Sequence, residues 1–146
     1  MQTPQRRRYD IPLSAELQDF TFDTAKEFGV NFELVLAIMW VESDFRADVI
    51  SNTGDYGLMQ INRINHERLR HTLGITDFLC PSQNILAGVY MLAEINQKHK
   101  YLYQILMVYN AGATGAQNMW ERGITETAYT RHVMGKYHKL RGLEGA

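Results

Sequence analysis

The chain is poor in most of the features that would staple it, thread it through a membrane or steer it to a charged polymer. It has one cysteine, Cys80, in 146 residues, which excludes an intrachain disulfide and any metal site built from several thiolates. With Pro81 beside it and Phe78 and Leu79 before it, that cysteine reads as a small packed hydrophobe at a helix entry rather than a reactive thiol. Neither charge sign dominates. Fifteen basic residues face 16 acidic ones, a formal net charge of −1, so nothing marks the chain for nucleic acid. The run Arg6-Arg7-Arg8 is short and terminal and reads as solvated. No apolar run approaches the ~20 residues of a membrane span. No apolar stretch follows the N-terminal basic residues, so a signal peptide is not expected here and an export route is not specified. Sustained strand alternation, internal repeats and low-complexity tracts are lacking too.

What is present is helical. Ser14 can cap a helix over "AELQDFTFDTAKEF" that stops at Gly29. Asn31 can cap the next, "FELVLAIMWVES". After it comes a long polar stretch, "DFRADVISNTGDYG", with turn residues Asn52, Thr53, Gly54 and Asp55. A loop of that length in a compact domain is often functional. "INHERLRHTLG" reads as a short surface helix ending at Gly74. Pro81 opens a helix with Ile85, Val89, Leu92 and Ile95 on one face. "YLYQILMVYN" is apolar nearly all round and is expected to be central and buried. "GAQNMWERG" reads as a short helical turn, and "ETAYTRHVMGKYHKL" closes the chain. The expectation is one all-α domain of about six to eight helices over 14–146, preceded by a tail over 1–13.

Several chemistries have no foothold. His66 and His71 are five apart, and His132 and His138 six apart, whereas a zinc-binding helix needs two histidines four apart on one face. There is no G-x-S-x-G elbow, and "GATGAQN" lacks the Lys-Ser/Thr of a phosphate loop. One feature stands out. Glu42 follows eight apolar residues, Leu34–Val41, and shares a helical stripe with Val35, Ile38 and Met39. Two readings stay open on pattern alone. Glu42 ends the helix in solvent or pairs with Arg46, four residues on. Or it enters a cleft, where lost solvation raises its pKa and suits it to general-acid work on a glycosidic bond.

The residues around it favour the second. "ES" at 42–43, "GLMQIN" at 57–62 and "YNAG" at 109–112 resemble the three motifs of the soluble lytic transglycosylase family, bacterial enzymes that cut peptidoglycan. The likeness continues through the two opening helices and through "NILAGVYMLAEI". It implies a lysozyme-like α-domain, with Glu42 as the one catalytic acid/base. It also implies Ser51, Met59, Gln60, Tyr109, Asn110 and Tyr129 as residues that contact substrate or orient the acid, and no metal or cofactor. Asp55 and Tyr56 depart from the small residues many members carry before the GLMQ motif. The implied partner is a peptidoglycan glycan strand, met at the cell wall by a monomer without a membrane span.

The resemblance also implies a mechanism. Most glycosidases use two carboxylates, but Asp44 lies on the wrong face, and Asp48 and Asp55 lie in polar loop, so no second carboxylate is expected in the site. The substrate would supply the nucleophile. The N-acetyl carbonyl of N-acetylmuramic acid assists at the anomeric carbon, Glu42 protonates the leaving oxygen, and the muramoyl 6-hydroxyl closes a 1,6-anhydro ring. Two alternatives stand beside this. One is a goose-type lysozyme-like hydrolase that uses water; the other is a non-catalytic glycan-binding or assembly module.

Overall fold

Local capping sets most of the helix starts in the computed structural model, which describes residues 5–144. The Ser14 hydroxyl accepts from the Leu17 N–H at 3.2 Å and opens α1, Ala15–Phe28. Asn31 Oδ1 accepts from the Leu34 N–H at 2.9 Å and opens α2, Phe32–Ser43. Pro81 supplies the first residue of α4, Pro81–Lys98. Gly29 and Gly74, both in left-handed backbone, close α1 and the short α3, His66–Leu73. Two long helices complete the set, α5, Leu102–Glu121, and α6, Ala128–Glu144.

α2 is the central element. Val35, Leu36, Ala37, Ile38 and Met39 are wholly buried, and the helix packs mainly on α6 and also on α1, while α1 packs on α4. Burying each such Leu, Ile or Met contributes about 1.5–3 kcal/mol. An envelope of this kind holds both ends of α2 in place, and each end carries a carboxylate.

Four expectations need correction. Residues 5–13 are not a solvated tail. Tyr9 and Leu13 are buried, and the buried Gln18 side chain accepts from the Tyr9 N–H and donates to the Tyr9 and Leu13 carbonyls. The arginine run alternates along this extended strap. Arg6 and Arg8 pair with Asp23 and Asp19 on the surface of α1, whereas Arg7 turns inward to Glu33, 3.0 Å away. The rest of the expected tail, residues 1–4, lies outside the described residues.

The second correction concerns α5, which is buried at Ile105, Leu106 and Met107, whereas Leu102 and the N-cap residue Tyr101 are exposed. The kink at Gly112 (φ 78°, ψ 165°), a backbone that only glycine adopts readily, divides α5 in two, and the part beyond it holds the segment expected as a separate helical turn. Third, the polar loop holds a small antiparallel hairpin. β1 (Asp55–Tyr56) pairs with β2 (Ile61–Asn62), Asp55 opposite Asn62. Two-residue strands are too short to show alternation. Fourth, His66 is buried rather than on the surface. It stacks on Phe78 with ring centroids 3.7 Å apart and hydrogen-bonds the Ile61 carbonyl at 3.0 Å. The hairpin is thereby fixed to the start of α3.

Candidate active site

Glu42 stands in the last turn of α2, where the backbone is about to leave the helix. Asp44 and Phe45 take left-handed backbone (φ 52° and 60°) and end it. Ser43 Oγ donates to the Met39 carbonyl at 3.1 Å and contacts the Leu58 carbonyl at 2.8 Å, tying the helix end to the hairpin loop. The carboxylate of Glu42 does not pair with Arg46. That arginine is exposed and donates to the Ser43 carbonyl. Instead Glu42 Oε2 accepts from the Tyr129 hydroxyl on α6 at 3.0 Å.

The carboxylate opens into a cleft of about 430 Å³. Gln60, Ile64, Met91, Tyr109 and Asn110 contribute to its walls, and no lysine, arginine or histidine is among the described residues lining it. Burial is the main reason the Glu42 carboxyl is pushed up to about 7, and the negative charge of Asp55 adds to the rise. The Tyr129 hydrogen bond pulls the other way, because it stabilises the charged form. Near neutral pH, then, both protonation states are populated, as a group that first gives and then takes a proton requires.

The two tyrosines differ in what they hold. Tyr109 donates to the Met59 carbonyl at 2.7 Å. Tyr129 donates to the acid itself. Burial pushes both hydroxyls well above the usual phenol range, with the Glu42 charge adding to it, so both are neutral donors at working pH. Asn110 is exposed on the cleft wall, one residue beyond Tyr109 and two before the Gly112 kink. Gln60, in left-handed backbone (φ 51°), donates to the Gly57 and Val49 carbonyls and shapes the facing wall.

Two of the expected contact residues sit elsewhere. The Met59 side chain is wholly buried behind the wall and packs against α4 at Gly88, where an added Cβ would lie 2.3 Å from its sulfur. Ser51 is absent from the cleft lining; its hydroxyl donates to Asp55 Oδ2 at 2.6 Å. A carboxylate that was not expected in the site does line it. Asp44 and Asp48 are exposed, but the hairpin brings Asp55 into the same cleft as Glu42. Burial pushes the Asp55 carboxyl up, yet hydrogen bonds from Ser51, Thr53 and Asn62 outweigh it and hold the group below the usual carboxylate range.

Asn84 was not singled out from the sequence. It is wholly buried on α4. Its Nδ2 donates to the Tyr56 and Phe78 carbonyls, and its Oδ1 accepts from the Met59 N–H, all at 2.7 Å. One amide thus fixes the hairpin loop on both sides of its turn. Gly57 belongs to the same device, since an added Cβ there would lie 2.5 Å from Asn84 Nδ2. The available signal was an amide flush against the apolar stripe that begins at Ile85, one turn before Gly88.

Among the described residues, no group of three His, Cys, Asp or Glu side chains could hold a metal ion, and no helix is long and apolar enough to cross a membrane.

Comparison with known proteins adds the lineage. The transglycosylase SLT domain profile matches residues 19–131. Over 74 residues the chain is 35% identical to the membrane-bound lytic murein transglycosylase F of Desulfosudis oleivorans and 34% identical to that of Stutzerimonas stutzeri. Those matches cover 51% of this chain and only 15% and 14% of the relatives. In three dimensions it resembles an inactive glutamate-to-glutamine mutant of lytic transglycosylase Slt from Pseudomonas aeruginosa (TM-score 0.72, 21% identity, 87% of this chain and 24% of that one). It also resembles the 70 kDa soluble lytic transglycosylase of Escherichia coli (TM-score 0.65, 21% identity, 91% and 22%). At that identity the likeness speaks to the helical fold.

Proposed function

This chain belongs to the transglycosylase SLT domain family, and from that premise we propose that it is a peptidoglycan lytic transglycosylase with Glu42 as general acid and base. The observation that carries the reading is a carboxyl pushed up to about 7 in a cleft whose described lining holds no cation. Glu42 protonates the glycosidic oxygen between N-acetylmuramic acid and N-acetylglucosamine. The N-acetyl carbonyl assists as that bond breaks. Glu42, now a carboxylate, takes the proton of the muramoyl 6-hydroxyl as this oxygen attacks the anomeric carbon, and a 1,6-anhydromuramoyl end results. Tyr129 orients the acid. Gln60 and Asn110 contact sugar, and Tyr109 holds the wall through the Met59 carbonyl, all of which supplies proximity and electrostatic help. The site is assembled within one chain, which fits a monomer acting on glycan strands at the cell wall, in the periplasm or outside the cell.

One digest tests this. Sacculi treated with the protein release fragments ending in anhydromuramic acid, resistant to borohydride and unlabelled in heavy-oxygen water. Asp55 in the cleft favours a second reading, a lysozyme-like hydrolase, whose fragments would be reducible and labelled. Reducible ends as the main product reject the transglycosylase while keeping Glu42 as acid, and the absence of any fragment rejects both.

A further inference from the structure

Asp55 is a partly buried carboxylate, held by three side-chain donors, to which the one-acid mechanism gives no work. Resting on the glycan-cleaving reading above, we propose that Asp55 is a second catalytic residue, an ionised carboxylate that stabilises the positive charge developing on the muramoyl anomeric carbon and its acetamido group.

Geometry argues for it first. Asp55 lines the cleft that Glu42 opens into. It comes from the hairpin, whereas Glu42 comes from α2, so the two carboxylates approach a bound sugar from different elements. Its oxygens are held by side-chain donors. Oδ2 accepts from the hydroxyls of Ser51 and Thr53, and Oδ1 accepts from Asn62 Nδ2 at 2.9 Å. The Asp55 N–H in turn donates to Ser51 Oγ at 3.0 Å. Three neutral donors keep a carboxylate charged without cancelling that charge, and no cationic side chain among the described cleft residues does so either. The environments of Glu42 and Asp55 push their proton affinities in opposite directions, the division of labour expected of an acid and an anionic stabiliser sharing one site.

The step balances. The bond between the anomeric carbon and the bridging oxygen breaks, and its electron pair leaves with that oxygen, which takes the Glu42 proton. Positive charge remains on the muramoyl ring and acetamido group, opposite the Asp55 anion. Attack by the 6-hydroxyl then removes the charge and returns a proton to Glu42. Asp55 neither gains nor loses a proton. The charged or titratable groups facing this space are Glu42 on α2, Asp55 on β1, Tyr109 on α5 and Tyr129 on α6.

The test uses soluble uncrosslinked glycan strands and full pH profiles. Asp55→Asn keeps the shape and removes the charge. Its kcat is expected to fall about 100- to 1000-fold with little change in KM or thermal midpoint, and its alkaline limb to move to lower pH, because Glu42 loses a repelling neighbour. Thr53→Val keeps the carboxylate but removes one donor, so the acid limb of its profile moves to higher pH. If Asp55→Asn retains activity within about threefold of the wild type, or if neither limb moves in either variant, the proposal falls. If Asp55→Asn does not fold, the acid limb of Thr53→Val decides alone. Failure of the wild type to release any fragment rejects the parent reading, a result distinct from all of these.

Discussion

α2 carries a carboxylate near each end, and the two are treated in opposite ways. Glu33, second residue of the helix, is wholly buried with Arg7 at 3.0 and 3.2 Å from its two oxygens. It also lies where the helix dipole favours negative charge. Glu42, in the last turn, lies where the dipole disfavours it. The described lining of its cleft has no cation, and it receives a hydrogen bond from a neutral phenol. Both are largely taken out of water, so burial alone does not set what a carboxyl group does. The difference is compensation, since a matched charge holds the fold together and an unmatched one is free to exchange its proton.

Leaving the charge unmatched costs stability with a definite sign. The folded value of about 7 for Glu42 lies above the ordinary 4.5. The native state therefore holds its proton more tightly than the unfolded chain does. That contribution is fully present below about pH 4.5 and is lost as pH rises through 7. Discounted for partial exposure, the loss is on the order of 2 kcal/mol.

Substitution at the two ends sharpens the contrast. Glu42→Gln has the largest effect, a fall in wall-lysing rate of at least about 1000-fold, because no other group there donates a proton. The same variant gains on the order of 2 kcal/mol over wild type at pH 8 and almost nothing at pH 4.5, read by urea unfolding at both pH values. Lysis near the wild-type rate removes Glu42 from the mechanism. Arg7→Met comes next and acts on the other end. It strands Glu33 as a buried unpaired charge and lowers unfolding free energy by about 3 kcal/mol, while activity per folded molecule is retained. Adding Glu33→Gln restores part of the loss. An unchanged urea midpoint would mean that Arg7 does not compensate Glu33. Tyr129→Phe is the mildest. It removes the donor to the charged form of Glu42, so the alkaline limb of the rate profile moves up by about one pH unit, with a several-fold loss of turnover. A limb that stays put would show that the phenol does not reach the carboxylate during turnover.

The same pair marks what a sequence discloses. Glu42 drew attention through a local cue, a charge on a stripe set by Val35, Ile38 and Met39, but that cue left solvent and cleft both open until the neighbouring motifs were read. The caps at Ser14, Asn31, Pro81, Gly29 and Gly74 were legible, each a matter of one or two residues and the backbone they allow. The family motifs brought Gln60, Tyr109, Asn110 and Tyr129, and the structure gathers the first three in the cleft and aims Tyr129 at Glu42. The Arg7–Glu33 pair was not legible. Its partners lie 26 positions apart, and an arginine run looks the same whether it is solvated or alternates inward. Met59 failed for a related reason, since motif position does not say whether a side chain or only its backbone faces the groove. Asp55 and His66 were misjudged because the pairing of two-residue strands is set by distant contacts, not by any periodicity.

Asn84 also bears on the speed and cost of engaging a sugar. A loop that must be ordered by its ligand spends affinity on that ordering, roughly 1–2 kcal/mol for each residue whose backbone is fixed. Here the buried amide has already frozen Tyr56, Met59 and Phe78 into place. The entropy of the hairpin loop is thus surrendered once, when α4 docks, and not again each time a ligand enters the cleft. The cleft wall and the helical core accordingly open together, so the Met59 amide exchanges its hydrogen on the slow timescale of global unfolding, not the fast one of a surface loop.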